Sequence, residues 1–319
     1  MPDTVPDKSM RTQKARQGRE RRPRSVMLAI AGDSAAGKTT LTQGLVDAMR
    51  AEASTSVCVD DYHRYDRMER KELPFTPLHP DCNYVDIMEQ HLQLLASGEA
   101  ILKPVYDHAT GELVRPERIE PTEAVIIEGL LPLYTEVMRA CFDVSVYLDP
   151  PEEIRREWKI KRDTSKRGYE AEQVLAELER REPESEAFIR PQRSHADIVV
   201  RFGPIEGRDD PPDTPLSATV LLRPTIRHPK LHEMMADIGE GAMHLKLMRD
   251  EDGKPVDALH IHGYAPPEDS RTVAEAIWDS LGRSDPLPES LGDLGNGERS
   301  EPLALTQLIL LFHLLRLRA

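Results

Sequence analysis

The residues with the clearest chemistry form one octet, Gly32-Asp33-Ser34-Ala35-Ala36-Gly37-Lys38-Thr39. It fits the pattern G-x-x-x-x-G-K-[ST]. The glycines let backbone N–H groups wrap a polyphosphate without Cβ clashes. Lys38 suits β- and γ-phosphate oxygens, Thr39 offers a hydroxyl to Mg²⁺, and the helix expected to start there adds partial positive charge. With Thr40, the octet is the candidate ATP site. The motif alone does not separate a kinase from an ATPase or a GTPase switch.

Three further groups bear on that choice. Glu128 ends the apolar run Ala124-Val125-Ile126-Ile127 and precedes a glycine. A carboxylate there stands beside the phosphate loop at the carboxyl edge of a sheet, where ligands bind. Asp60 follows a second strand at the same edge and suits a base that takes a proton from an alcohol acceptor. Thr39, Glu128 and Asp60 make up the candidate Mg²⁺ ligands. The third group is Lys159, Arg162, Lys166 and Arg167, with Asp163 among them, ending at Gly168. Lys159 and Arg162 are three apart and share a helix face. Such a run is often a solvated helix. Its sharp stop at Arg167-Gly168 suits a lid over phosphates, and arginine favours bidentate phosphate contact. A second anion, an already phosphorylated acceptor, then fits beside the nucleotide.

The elements that position these groups alternate. Strands are expected at 25–31, 55–59, 124–127, 144–148 and 197–202, and helices at 38–51, 86–96, 151–164 and 171–181. That order implies an α/β fold, a mostly parallel phosphate-loop sheet with helices on both faces. Residues 25–203 read as this core, preceded by a disordered basic tail at 1–24. A linker at 204–216 leads to a smaller β/α extension at 217–283. It holds strands at 218–222, 243–248 and 256–262, a hairpin turn at 250–254 and a helix at 271–282. A second linker at 284–300 precedes an apolar helix at 301–319, free to pack on its own core or on a second subunit of a homo-oligomer. His260 and His262 share one strand face, read as exposed in preference to a two-His metal site.

Bulk properties narrow the class. The chain has 319 residues, 39% hydrophobic and 31% charged, with a net charge of −14. An acidic balance argues against nucleic acid as a main partner. The three cysteines, Cys58, Cys82 and Cys141, form no C-x-x-C pair. That suggests a reducing, cytoplasmic setting. No apolar run approaches the ~20 residues that span a bilayer, so no membrane partner is expected. The basic N-terminus lacks the apolar stretch of a secretory signal.

From about Val26 to Phe202 the chain resembles the phosphoribulokinase/uridine kinase family. The resemblance rests on Gly32-Asp33-Ser34…Gly37-Lys38-Thr39 and Asp60-Asp61-Tyr62-His63…Arg67. It continues through Lys103-Pro104-Val105-Tyr106-Asp107-His108…Thr110-Gly111 and Ile127-Glu128-Gly129-Leu130. It ends in Trp158-Lys159-Ile160-Lys161-Arg162-Asp163…Arg167-Gly168. The resemblance implies that Asp60 is the catalytic base and that Lys38 and Lys159 act on the transferred phosphoryl group. It implies that His63, Arg67, Tyr106 and His108 bind the sugar phosphate. Arg162 and Arg167 would serve the nucleotide phosphates from a lid. The implied reaction is ATP plus ribulose 5-phosphate giving ADP and ribulose 1,5-bisphosphate. Two departures stand out: Glu170 where the family usually has Ser or Thr, and Ala36 where photosynthetic members carry a cysteine whose partner matches Cys58. A nucleoside kinase would need a base pocket with stacking aromatics, and aromatic content is 5%. A nucleotide-binding regulator without acceptor chemistry would not need Asp60, Arg67 and Lys159 together.

Overall fold

The computed structural model describes residues 24–49, 54–208, 211, 213–238, 241–283, 285–295 and 297–317. The expected tail lies, up to residue 23, outside the described residues.

Five strands build the expected parallel core: β1 (Val26–Gly32), β2 (Ser54–Cys58), β5 (Ala124–Gly129), β6 (Val144–Leu148) and β7 (Ile198–Gly203). Strands β1, β5 and β6 are buried along their whole length. Both faces of a parallel sheet are covered, so these strands read as continuous apolar runs. Alternate residues of β1 still serve different layers. Leu28 and Ile30 pack with Leu41 and Leu45 of α1 (Lys38–Met49). Met27 packs with Met88 and Leu92 of α2 (Val85–Ala96) on the other face.

The strands of the 217–283 extension join the core sheet. Strand β8 (Ser217–Leu222) pairs antiparallel with β7, and β10 (Pro255–Ile261) and β9 (Met243–Arg249) follow in turn. The result is one eight-stranded mixed sheet in the order β2-β5-β1-β6-β7-β8-β10-β9. His260 and His262 are buried, not exposed. Strand β10 lies between two neighbours, so His260 Nδ1 pairs with Thr219 Oγ1 at 3.0 Å and His262 Nε2 with His244 Nδ1 at 2.7 Å.

The apolar C-terminal helix packs on its own chain. α8 (Glu301–Arg316) lies against α1 and α7 (Pro267–Ser280), and Leu305, Leu308 and Ile309 are fully buried. Gly44 of α1 allows this approach: a Cβ there would stand 2.1 Å from Gln307 Nε2. Among the described residues, no helix is long and apolar enough to cross a membrane.

The remaining elements lie around the site. A separate hairpin joins β3 (Ile101–Asp107) to β4 (Glu112–Ile119). A short α3 (Glu136–Arg139) follows β5, α4 (Glu152–Arg167) follows β6, and α5 (Ala171–Glu184) ends in a wide turn at Ser185–Ile189. α6 (Leu231–Ile238) precedes β9.

Candidate active site

The phosphate loop leaves β1 and enters α1 directly. Ala35 sits at φ 64°, a left-handed conformation that costs an L-residue on the order of 1 kcal/mol or more and persists only where the surroundings enforce it. Lys38 is 7% exposed, and its Nζ donates to Gly32 O at 2.9 Å and Asp33 O at 2.8 Å. Thr39 Oγ1 donates to Glu128 Oε1 at 3.2 Å.

Strands β2 and β5 are neighbours, with Cys58 opposite Glu128, so Asp60 and Glu128 emerge at one edge. Gly129 makes this close approach possible. Its φ is +151°, and a Cβ would fall 2.2 Å from Val59 Cγ2 and 2.9 Å from Asp60 Oδ1. Leu130 N–H donates to Asp60 Oδ1 at 3.1 Å and fixes that carboxylate. Burial pushes the Glu128 carboxyl up; the Lys38 charge opposes this and Asp60 adds to it. The Cys58 thiol is pushed well above its ordinary value by burial, then by Asp60 and Glu128.

The acceptor-side residues interlock with the β3–β4 hairpin. Asp61 pairs with Lys103 and accepts Tyr106 N–H at 3.2 Å. His63 Nδ1 pairs with Asn83 Oδ1 at 2.7 Å, and its ring meets Tyr106 edge-on, centroids 4.9 Å apart. Burial and the nearby Arg70 charge lower His63 to about 4, so the ring is neutral at pH 7. Tyr106 in turn meets His108 edge-on at 5.0 Å. Arg67 donates to His108 O at 2.6 Å and Ala109 O at 3.4 Å, tying the acceptor loop to the hairpin tip. Arg70 donates to the Tyr106 hydroxyl, with its guanidinium carbon 4.6 Å from that ring's centre.

Lid-side residues project from α4. Asp163 accepts from Lys159 Nζ and Arg162 Nε, each at 2.8 Å. Burial favours the protonated Asp163, but the hydrogen bonds from Arg162 and Lys159 outweigh it, and its pKa falls to about 2. Burial lowers the Lys159 ammonium against the pull of Asp163. Arg167 closes the helix; its side chain lies outside the described residues.

A cavity of about 370 Å³ joins these sets. Arg67, Arg70 and Lys71 line it from the acceptor loop, Lys159 from α4, and Arg180 and Arg181 from α5. Six basic side chains thus face Asp163 and Glu177 in one small space, a setting for an anion. A second cavity of about 980 Å³ opens beside Gly37 and Thr40, with Trp158, Phe202 and Tyr264 in its walls. Sequence reasoning missed Asp61, Arg70, Lys71, Arg180 and Arg181. Only Asp61 had a local signal, as the neighbour of Asp60 in the same motif.

A strand, a glycine-rich loop and a helix at the carboxyl edge of a parallel sheet define a phosphate-loop nucleotide-binding fold. The model of the "Phosphoribulokinase / Uridine kinase family" matches residues 27–207, and the chain belongs to that family. It is 44% identical over 181 residues to the phosphoribulokinase of Synechocystis sp., covering 57% of this chain and 54% of that protein. It is 36% identical over 197 residues to the chloroplastic phosphoribulokinase of Arabidopsis thaliana, covering 56% of this chain and 50% of that protein. The chain thus spans about half the length of the curated relatives it matches. The phosphoribulokinase of Rhodobacter spheroides shares the fold: TM-score 0.58 at 18% identity, covering 81% of this chain and 97% of that one.

Proposed function

We propose that the chain transfers the γ-phosphoryl group of ATP to the C1 hydroxyl of D-ribulose 5-phosphate, giving ADP and D-ribulose 1,5-bisphosphate. The observation that carries this reading is the basic cavity, where Arg67 of the acceptor loop and Lys159 of α4 face one space. A sugar that already bears a phosphate suits such a lining; an uncharged nucleoside does not.

Phosphoryl transfer depends on positioning and charge stabilisation more than on covalent chemistry. Asp60 accepts the proton of the attacking hydroxyl. Lys38 exchanges its bonds to Gly32 O and Asp33 O for the β- and γ-phosphate oxygens. Lys159 and Arg162, poised on Asp163, neutralise charge that develops on the transferred group. The nucleoside half fits the larger cavity beside Gly37 and Thr40. The Thr39 hydroxyl bonds Glu128, and Asp60 is near enough for its charge to push Glu128 up. Converging carboxylate and hydroxyl oxygens are the hard donors Mg²⁺ takes, so Thr39, Glu128 and Asp60 would hold it. When bound, the ion supplies charge neutralisation at the phosphate oxygens.

The test is product identification. ³¹P NMR of a reaction with ATP and ribulose 5-phosphate should show a second sugar phosphomonoester appearing with ADP. ADP formation without a new sugar signal would contradict the reading.

A further inference from the structure

Two consecutive residues, the last of α5 and the one after it, touch both halves of the site. Glu184 ends α5. Its carboxylate accepts Thr76 N–H at 2.8 and 3.1 Å and also the Thr76 hydroxyl. Thr76 is buried between Phe75 and Pro77, which line the basic cavity. Ser185 is 2% exposed and donates its hydroxyl to Asp33 Oδ2 in the phosphate loop. Asp33 Oδ1 accepts Ser34 N–H at 2.6 Å and stands 3.6 Å from Arg155 Nη1. Arg155, on α4 one turn before Lys159, donates to Ser34 O at 3.2 Å. Pro183 lies inside the last turn of α5, and the wide turn that follows is a geometry that recurs at functional sites.

The pattern G-x-x-x-x-G-K-[ST] does not require a carboxylate at position 33. A buried carboxylate is costly unless paired. Besides the neighbouring Ser34 N–H, its partners are the Ser185 hydroxyl and the Arg155 guanidinium, both from the lid-side helical segments. The same segments wall the basic cavity through Lys159, Gln173 and Glu177. A shift of α4 and α5 onto an occupied acceptor cavity would therefore pull on the phosphate-loop backbone at Asp33 and Ser34. The reverse path runs from Asp33 through Ser185 and Glu184 to Thr76.

We infer that Glu184 and Ser185 are positioning residues that couple the phosphate loop to the acceptor loop, so that each substrate tightens the binding of the other. This rests on the phosphotransfer reading above. Neither residue touches a reacting atom. Their effect is on the alignment of donor and acceptor.

The experiment is a calorimetric titration of the full chain with a β,γ-methylene ATP analogue, with and without ribulose 5-phosphate. Wild type should bind the analogue tighter with the acceptor present, by about tenfold, within the usual range of site–site coupling. Ser185→Ala and Glu184→Ala should each bring that ratio close to one, and the double variant should go no further, as expected of residues acting through one link. Affinity for each ligand alone should change little, which separates coupling from general loosening of the site; some loss of unfolding temperature is expected from the lost buried bonds and does not bear on the ratio. A ratio near one in wild type, or an unchanged ratio in both variants, overturns the inference. If either alanine variant fails to fold, Thr76→Val removes a single hydroxyl from the link; a reduced ratio supports the inference and an unchanged one overturns it. If wild-type turnover reveals a different acceptor, the substrate reading fails separately, and the same titration with that acceptor still decides the coupling.

Discussion

Lys159 and Asp163 form a buried ion pair one helical turn apart, Nζ to Oδ2 at 2.8 Å, while Arg162 holds the second carboxylate oxygen. Two cations share one anion beside the basic cavity, so the cluster carries net positive charge on that side. Lys159→Met keeps the chain length and removes the charge. It should lower kcat by ~10²-fold or more, the scale of a lost charge-stabilising donor, with KM for ATP little changed. Steady-state kinetics check this, and a rise in KM for ATP at constant kcat would contradict it.

The same cluster sets an acid limit. Asp163 is lowered from 3.8 to about 2, so the folded state holds its carboxylate ionised longer than the unfolded chain does. Its stabilising contribution is therefore full above the unfolded value and lost as pH falls through about 2. The stability gap between wild type and Asp163→Asn, measured by urea unfolding, should stay constant from neutral pH to about 4 and shrink below it. A gap that closes near neutrality would refute the assignment.

Asp60→Asn should leave ATP binding nearly intact and cut turnover by at least ~10²-fold, the lower range for a lost general base. The Leu130 N–H to Oδ1 bond survives this change, so the carboxamide keeps its place. Turnover within a few-fold of wild type would mean that Asp60 is not the base.

Arg67→Ala should raise KM for the sugar phosphate far more than KM for ATP. The guanidinium borders the basic cavity and ties it to the hairpin tip through His108 O and Ala109 O. Equal changes in both constants would reduce Arg67 to a hairpin anchor.

How much of this was legible depended on distance along the chain. The phosphate loop is contiguous, and its turn chemistry is written in eight successive residues. Strands β1, β5 and β6 announce themselves because burial on both faces demands unbroken apolar runs. The β3–β4 hairpin carried no such signal. β4 reads Glu112-Leu113-Val114-Arg115-Pro116-Glu117-Arg118-Ile119 and is exposed along nearly its whole length, so no buried face imposes alternation. Arg70, Lys71, Arg180 and Arg181 sit in charged runs that read as solvated surface. Only the tertiary fold brings residues 70 and 181 to one cavity. His260 and His262 misled for the opposite reason. Alternation placed them on one face correctly, but period two cannot tell which face is covered.

Ala36 in the phosphate loop has no sulfur to pair with Cys58, and the Cys58 thiol is pushed up by burial and by Asp60 and Glu128. A thiol held protonated is a poor nucleophile for disulfide exchange. Activity should be the same after reduced or oxidised dithiothreitol. A reversible activation by the reduced form that disappears in Cys58→Ser would contradict this.

On the proposed function, the basic cavity selects a phosphorylated acceptor. This selectivity is tested most directly by kcat/KM, from ADP release, for ribulose 5-phosphate, ribulose and uridine at fixed ATP. Ribulose 5-phosphate should exceed both others by at least ~10²-fold, the scale of two or more charge-assisted contacts to the 5-phosphate. Uridine turned over as well as ribulose 5-phosphate, or ADP release independent of any acceptor, would contradict it.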